Sequence, residues 1–253
     1  MRILEVKNLT KMYEVEDTPY KALDNLSFSL EKGNFVAIMG ASGSGKSTLL
    51  NIISTLDHAS SGIVLLENKD LTQLSEKRQA DFRSQHLSFI FQNYNLLENL
   101  TLHENIALAL TVKGHPKQKI HQLVVDTATK LGIEEILAKY PHQVSGGQRQ
   151  RCACARALAT SPDLILADEP TGALDTQSAK QLLNILKSMN ETQGTTILLV
   201  THDPIAASYC RQILFMQDGK FVNHLYTTDQ TQKETLNQIL QLMGVLGDDI
   251  HVS

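Results

Sequence analysis

The stretch Gly40-Ala41-Ser42-Gly43-Ser44-Gly45-Lys46-Ser47-Thr48 decides the reading of this chain. It follows an apolar run, Phe35-Val36-Ala37-Ile38-Met39, and precedes Leu49-Leu50-Asn51-Ile52-Ile53, which reads as a helix. Strand, glycine-rich turn and helix form the context in which G-x-x-x-x-G-K-S/T cradles phosphate. Glycines let backbone N–H groups turn toward one point and let phosphate oxygens come close. A helix starting near Lys46 aims its unpaired N–H groups and the positive end of its dipole at the same anion. Lys46 adds a compact cation for the β- and γ-phosphates, and the Ser47 hydroxyl suits Mg²⁺. A Ser/Gly-rich linker would not be bracketed by a buried strand and an apolar helix face.

At 253 residues the chain has room for one large α/β domain, or for a core carrying an inserted subdomain. The net charge of −4, with no basic stripe, argues against a nucleic-acid footprint. Cys152, Cys154 and Cys210 are too few and wrongly spaced for a disulfide framework or a zinc site, so they read as small core residues in a reducing compartment. No apolar run approaches the ~18 residues of a membrane span, and Met1-Arg2-Ile3-Leu4-Glu5 does not read as a signal peptide. The expectation is a soluble, cytoplasmic chain that works at a membrane only through another subunit.

Upstream of the cradle, Ile3-Leu4-Glu5-Val6 and Leu26-Ser27-Phe28-Ser29-Leu30 alternate as half-buried antiparallel strands do. Between them stand Tyr13 and a polar stretch from Glu14 to Lys21. Tyr13 is the type of residue that stacks on a base, but local context alone favours an ordinary core tyrosine. Downstream, Ile63-Val64-Leu65-Leu66 reads as a strand, residues 76–85 as a charged helix, and Leu87-Ser88-Phe89-Ile90-Phe91 as a strand ending on Gln92. From Asn93 to about Thr160 the pattern is helical, over His103 to Val112, Lys117 to Leu131 and Glu134 to Lys139. That describes a helical insertion within an α/β core.

The insertion closes on Val144-Ser145-Gly146-Gly147-Gln148-Arg149-Gln150-Arg151. Ser145 followed three residues later by Gln148 is a capping box, so a helix starts here. The plain reading is a helix start with glycine in its first turn, but glycine in a helix costs about 1 kcal/mol against alanine, so two in a row point to close backbone approach to something. With Arg149 and Arg151 nearby, this is a second anion-binding helix start. Leu164-Ile165-Leu166-Ala167-Asp168-Glu169 reads as a buried strand with two acids at its carboxyl end, where open α/β sheets place ligands. Beside a phosphate loop the first acid suits Mg²⁺ and the second a base for an attacking water. A turn at Thr171 to Asp175, a helix from about Gln177 to Glu191, and a strand ending on Thr201-His202-Asp203 follow. His202, level with the acids, is placed to reach a γ-phosphate, although a lone histidine is more often structural. Residues 213–216 and 221–222 form a hairpin, and Leu236, Ile239, Leu240 and Met243 share helical spacing as a stripe expected to pack on the core.

In order, Tyr13, Gly40 to Thr48, Gln92, Val144 to Gln148, Leu164 to Glu169, Ala173-Leu174-Asp175 and His202 resemble the nucleotide-binding subunit of ATP-binding cassette (ABC) proteins over almost the whole chain. The resemblance implies an α/β fold: a P-loop NTPase ABC ATPase core with an antiparallel β subdomain and an inserted α-helical subdomain. As a single domain over 1–253 it would divide into a core (1–92 and 161–226), a helical signature subdomain (93–160) and a C-terminal helical tail (227–253). It implies ATP and Mg²⁺ as cofactors. Tyr13 looks like the adenine-stacking aromatic, with Gly40, Ala41, Ser42, Gly43, Ser44, Gly45, Lys46, Ser47 and Thr48 as the phosphate loop. Gln92 looks like the Mg²⁺-sensing relay, and Ser145, Gly146, Gly147 and Gln148 like the signature that closes on a second subunit's γ-phosphate. Asp168 looks like the Mg²⁺-side acid, Glu169 the catalytic base, Asp175 the dimer-contact aspartate and His202 the switch histidine.

Residues 40–48, Phe91 to Leu97 and Glu169 to Asp175 further resemble the lipoprotein-release and macrolide-export branch. Thr201 to Cys210 and Gly244-Val245-Leu246-Gly247 are similar to the ATPase of bacitracin-type antimicrobial-peptide transporters of low-GC Gram-positive bacteria. That similarity implies a homodimer of the ATPase, an integral membrane permease, a sensor histidine kinase as a further partner, and a place at the inner face of the cell membrane through the permease. An apolar docking face for the permease is expected at Leu96, Leu97 and Leu100. A soluble cassette ATPase of nucleic acid or the ribosome is the reading from another class, but such chains carry paired cassettes, coiled-coil insertions or zinc modules. A phosphate-loop kinase would leave Ser145 to Gln148 and His202 without a role.

Overall fold

The computed structural model describes residues 1–15, 18–228 and 230–248. In chain order the elements are β1 (Arg2–Val15), β2 (Thr18–Glu31), β3 (Phe35–Met39), α1 (Lys46–Ile53), β4 (Ser61–Leu66), β5 (Lys69–Asp70), α2 (Glu76–His86) and β6 (Leu87–Phe91). Then come α3 (Leu102–Val112), α4 (Lys117–Lys130), α5 (Gly146–Ala159), β7 (Leu164–Asp168), α6 (Thr176–Gln193), β8 (Ile197–Thr201), α7 (Pro204–Ala207), β9 (Gln212–Gln217), β10 (Lys220–Tyr226) and α8 (Gln232–Asp248).

Two sheets result. One is antiparallel in the order β2-β1-β4-β5, and the other runs β10-β9-β3-β8-β7-β6. In the second sheet β9, β3, β8, β7 and β6 are parallel and only β10 is antiparallel. The unbroken apolar runs seen in the sequence are those of strands buried on both faces. Phe35, Ala37 and Met39 of β3 face the core shared with α3–α6, whereas Val36 and Ile38 face the core under the antiparallel sheet and α1. The same alternation holds for Ile165 and Ala167 against Leu164 and Leu166, and for Ile197 and Leu199 against Leu198 and Val200. Because these strands run in parallel, their carboxyl ends, and the residues just beyond them, share one edge.

Three expectations change. The hairpin of β1 and β2 is far longer than the two short strands read from alternation, with Tyr13 paired opposite Tyr20 and Val15 opposite Thr18. Glu134 to Lys139 does not form a helix; only a 3₁₀ turn at Glu134–Ile136 does. The carbonyls of Leu137 and Lys139 instead accept the first N–H groups of α3, from His103 and Leu102, at 2.9 and 2.8 Å. In α8 the stripe turns by one residue: Thr235 and Ile239 are buried, Leu242 packs beside them, and Leu240 and Met243 stay largely exposed. The three cysteines are buried and unpaired, as expected.

Candidate functional site

The phosphate loop turns at the edge where β3 ends. Gly45 caps α1 at φ 105°, a conformation open to glycine and strained for other residues, and a Cβ there would sit 2.5 Å from the Ala22 carbonyl. Lys46 Nζ donates to the carbonyls of Gly40 and Ala41, each at 2.8 Å. Burial pushes the Lys46 pKa down, while the carboxylates of Glu169 and Asp168 push it back up.

A cleft of about 1080 Å³ opens over this loop, lined by Gly40 to Thr48 together with Tyr13, Gln92, Glu169 and His202. Gln92 follows β6, Glu169 follows β7 and His202 follows β8, so parallel pairing alone brings these three strand ends level. Glu169 adopts a left-handed φ of 46°. Its Oε2 accepts the Thr201 hydroxyl at 3.0 Å, and its Oε1 accepts the His202 backbone N–H at 3.0 Å and lies 2.7 Å from His202 Nδ1. That network aims the carboxylate and ties the imidazole to it. The sequence places Thr201 only at a strand end, where a threonine carries no signal for this task.

Gln92 stands against Gly172: a Cβ there would lie 2.7 Å from Gln92 Nε2. Glycine at 172 is thus the space that Gln92 occupies. Asp168, the last residue of β7, does not line the cleft, and its Oδ1 is buried and unpartnered. Burial, then the neighbouring Glu169 carboxylate, raise its pKa, and Lys46 opposes them. An orphaned buried carboxylate oxygen, taken with the Ser47 hydroxyl and the Gln92 carboxamide on the cleft lining, makes a donor set of hard oxygens, which fits Mg²⁺.

Tyr13 lines the cleft, but its hydroxyl donates to Asp57 Oδ2 at 2.6 Å and Lys11 Nζ lies over its ring at 4.6 Å. Burial and the Asp57 hydrogen bond raise the phenol pKa. Tyr20, Met216, Val222 and Met243 also line the cleft and were missed, because cross-strand pairing and the return of α8 place them there.

Ser145 to Gln148 do not line this cleft. The capping box forms as read: Gln148 N–H donates to Ser145 Oγ at 3.3 Å, and Ser145 N–H donates to Gln148 Oε1 at 2.9 Å. Arg149 and Arg151, read in the sequence as neighbours of this helix start, both make contacts within the chain. Arg149 lies over the Tyr94 ring at 5.1 Å and Arg151 donates to Gln181 at 3.1 Å. Asp175 likewise lies outside the cleft and caps α6, accepting from the N–H groups of Gln177 and Ser178 and from the Ser178 hydroxyl at 3.0, 2.9 and 2.6 Å.

Together the parallel sheet, the glycine loop and the level strand ends define a P-loop nucleotide-binding protein. The model of the family described as ABC transporter matches residues 23–172. Over 247 residues the chain is 47% identical to the bacitracin export ATP-binding protein BceA of Halalkalibacterium halodurans, covering 98% of each. It is 46% identical over 245 residues to the ABC transporter ATP-binding protein YxdL of Bacillus subtilis, covering 97% of this chain and 95% of that one. A dimeric, post-hydrolysis structure of the ATP-binding cassette MJ0796 bound to ADP and Pi is 36% identical, with a TM-score of 0.82 over 88% of this chain and 98% of that chain. The chain belongs to the ABC transporter family, as an ATP-hydrolysing nucleotide-binding subunit. No described helix is long and apolar enough to cross a membrane.

Proposed function

We propose that two copies of this chain close head to tail on two ATP molecules and drive a membrane permease that handles antimicrobial peptides of the bacitracin type. The observation that carries the pairing is positional. The cradle and Glu169 share one cleft, whereas the capped helix start at Ser145 lies outside it. A second copy supplies the missing face. The dimeric MJ0796 cassette supports the pairing, and the name of the Halalkalibacterium relative supports the peptide.

Within each site, Gly40 to Thr48 hold the phosphates, with Lys46 on the β- and γ-phosphates and Tyr13 beside the base. Ser47, Gln92 and Asp168 would hold Mg²⁺, which when bound neutralises phosphate charge. Glu169, aimed by Thr201 and His202, takes the proton of the attacking water. His202 shares its Nδ1 side with Glu169 and presents the rest of its ring to the cleft. Ser145, Gly146, Gly147 and Gln148 of one copy meet the γ-phosphate on the other, and Asp175 stiffens that joint through Ser178, which a Cβ on Gly147 would approach to 2.7 Å.

Domain movement passes to the permease from Gln92 through the segment ending at Leu100. Leu97 is 46% exposed there, but Leu96 packs inward on the core and Leu100 is half-buried, so the docking face is narrower than the sequence suggests. A sensor histidine kinase and residence at the inner face of the membrane belong to the same reading. The test is hydrolysis against protein concentration, paired with copurification from membranes and mass spectrometry of the bound permease. A rate rising faster than linearly, with a multi-span partner recovered, is expected. Linear activity from a verified monomer overturns the sandwich.

A further inference from the structure

Directly after Gln92, Tyr94 and Asn95 both adopt left-handed conformations, with φ of 61° and 47°. Two consecutive non-glycine residues there are strained by contact between Cβ and backbone. Something must hold them. The carbonyl of Tyr94 accepts Arg156 Nη2 at 3.0 Å, and the carbonyl of Asn95 accepts Arg156 Nη1. The guanidinium fork thus spans the two strained residues, as a planar pair of donors does and a lysine would not.

Arg156 sits half-buried on α5, and among the described residues no carboxylate pairs with it. The charged-state neighbours available to it are the thiols of Cys152 and Cys154; burial pushes the Cys152 pKa up to about 12 and raises that of Cys154 too, so both are neutral. A half-buried cation satisfied by two strained carbonyls is an arrangement that general packing does not require. The same helix grips this segment again one residue before Gln92, where Gln150 Nε2 donates to the Phe91 carbonyl at 3.3 Å and to the Pro170 carbonyl at 2.8 Å. Gln92 lies between these two anchors.

We propose that Arg156 is a positioning residue for hydrolysis: by holding the left-handed turn at Tyr94 and Asn95, it keeps Gln92 directed into the nucleotide cleft. This rests on Gln92 acting in hydrolysis as set out above. It assigns the far end of the signature helix a task at its own cleft, separate from the task of Ser145 at the partner's.

The test measures steady-state hydrolysis, the Mg²⁺ concentration giving half-maximal rate, and binding of a fluorescent ATP analogue at one protein concentration. Arg156→Ala should lower kcat about tenfold, raise the Mg²⁺ requirement, and leave analogue affinity within about twofold. Asn95→Gly relieves the Asn95 share of the strain that Arg156 opposes, so the double variant R156A/N95G should regain part of the lost rate, while N95G alone stays near wild type. R156K, which keeps the charge but not the fork, should fall between and serves if R156A does not fold. An unchanged kcat in folded R156A or R156K, or no rescue by N95G, overturns the proposal. Gln92→Ala separates the two levels. If Q92A hydrolyses like wild type, the role of Gln92 itself is wrong; if Q92A is impaired and R156A is not, only the role of Arg156 is wrong.

Discussion

Glu169 Oε1 lies 2.7 Å from His202 Nδ1 and accepts the His202 backbone N–H at 3.0 Å, across the ends of two neighbouring parallel strands. The carboxylate is therefore aimed by backbone as well as by side chain. Glu169→Gln keeps the acceptor oxygen and the size of the group but removes the base. The variant should bind ATP, accumulate as a closed dimer on size exclusion, and turn over about 10²–10⁴-fold more slowly. Full turnover would remove Glu169 from the base role.

Gly172→Ala tests Gln92 without touching it. The new Cβ meets Gln92 Nε2 at 2.7 Å, so the carboxamide must move. Hydrolysis should fall roughly tenfold while nucleotide affinity holds, since a small misplacement acts on the transition state before it acts on binding. Parallel loss of affinity and rate would show that the cleft, rather than Gln92, had been disturbed.

Lys46→Ala removes the ammonium held over the loop. Charge-assisted hydrogen bonds are worth about 1.5–3 kcal/mol each, so calorimetry should show ATP binding weakened roughly 10- to 100-fold. Unchanged affinity would count against the cradle.

Asp168 carries a pH-dependent penalty. Burial and Glu169 raise its pKa in the folded chain, so its contribution to stability is present below the ordinary carboxylate range and is lost as pH rises through the raised value. At neutral pH the ionised group costs stability in the absence of a cation. Asp168→Asn should raise the melting temperature at pH 7 by a few degrees, about 2–4 °C per kcal/mol for a chain of this size, and abolish hydrolysis. The gain should shrink as pH is lowered toward 4. A melting temperature that falls at pH 7 would show that the Lys46 attraction outweighs desolvation.

Much of this architecture was legible in residue order. The loop at Gly40 to Thr48, the capping box at Ser145 and Gln148, and the strand-end positions of Gln92, Glu169 and His202 all appear where local pattern puts them. The outer half of the first hairpin was not, since Glu14, Pro19 and Tyr20 are exposed and carry no alternation, while the backbone pairs regardless. The segment at 134–139 misled because Ile133 and Leu137 have helical spacing, yet carbonyls that a helix would use internally go to α3. Tyr13 reads as a base platform or a core residue; it lines the cleft, and what the sequence does not show is that its hydroxyl is tied to Asp57, a partner 44 residues away.

The sequence by itself determined the local loop and helix-start geometries, because glycine conformations, capping boxes and buried-strand runs depend on residues within a few positions of one another. Only the tertiary structure decided which of these meet. Strand order β10-β9-β3-β8-β7-β6 sets Glu169 against His202 across 33 residues of chain and leaves Ser145 outside the cleft. Packing of α5 brings Arg156 to the Tyr94 carbonyl across 62 residues. The physical reason is that burial fixes which face of a strand or helix points inward, while the strand it pairs with depends on how the whole core closes.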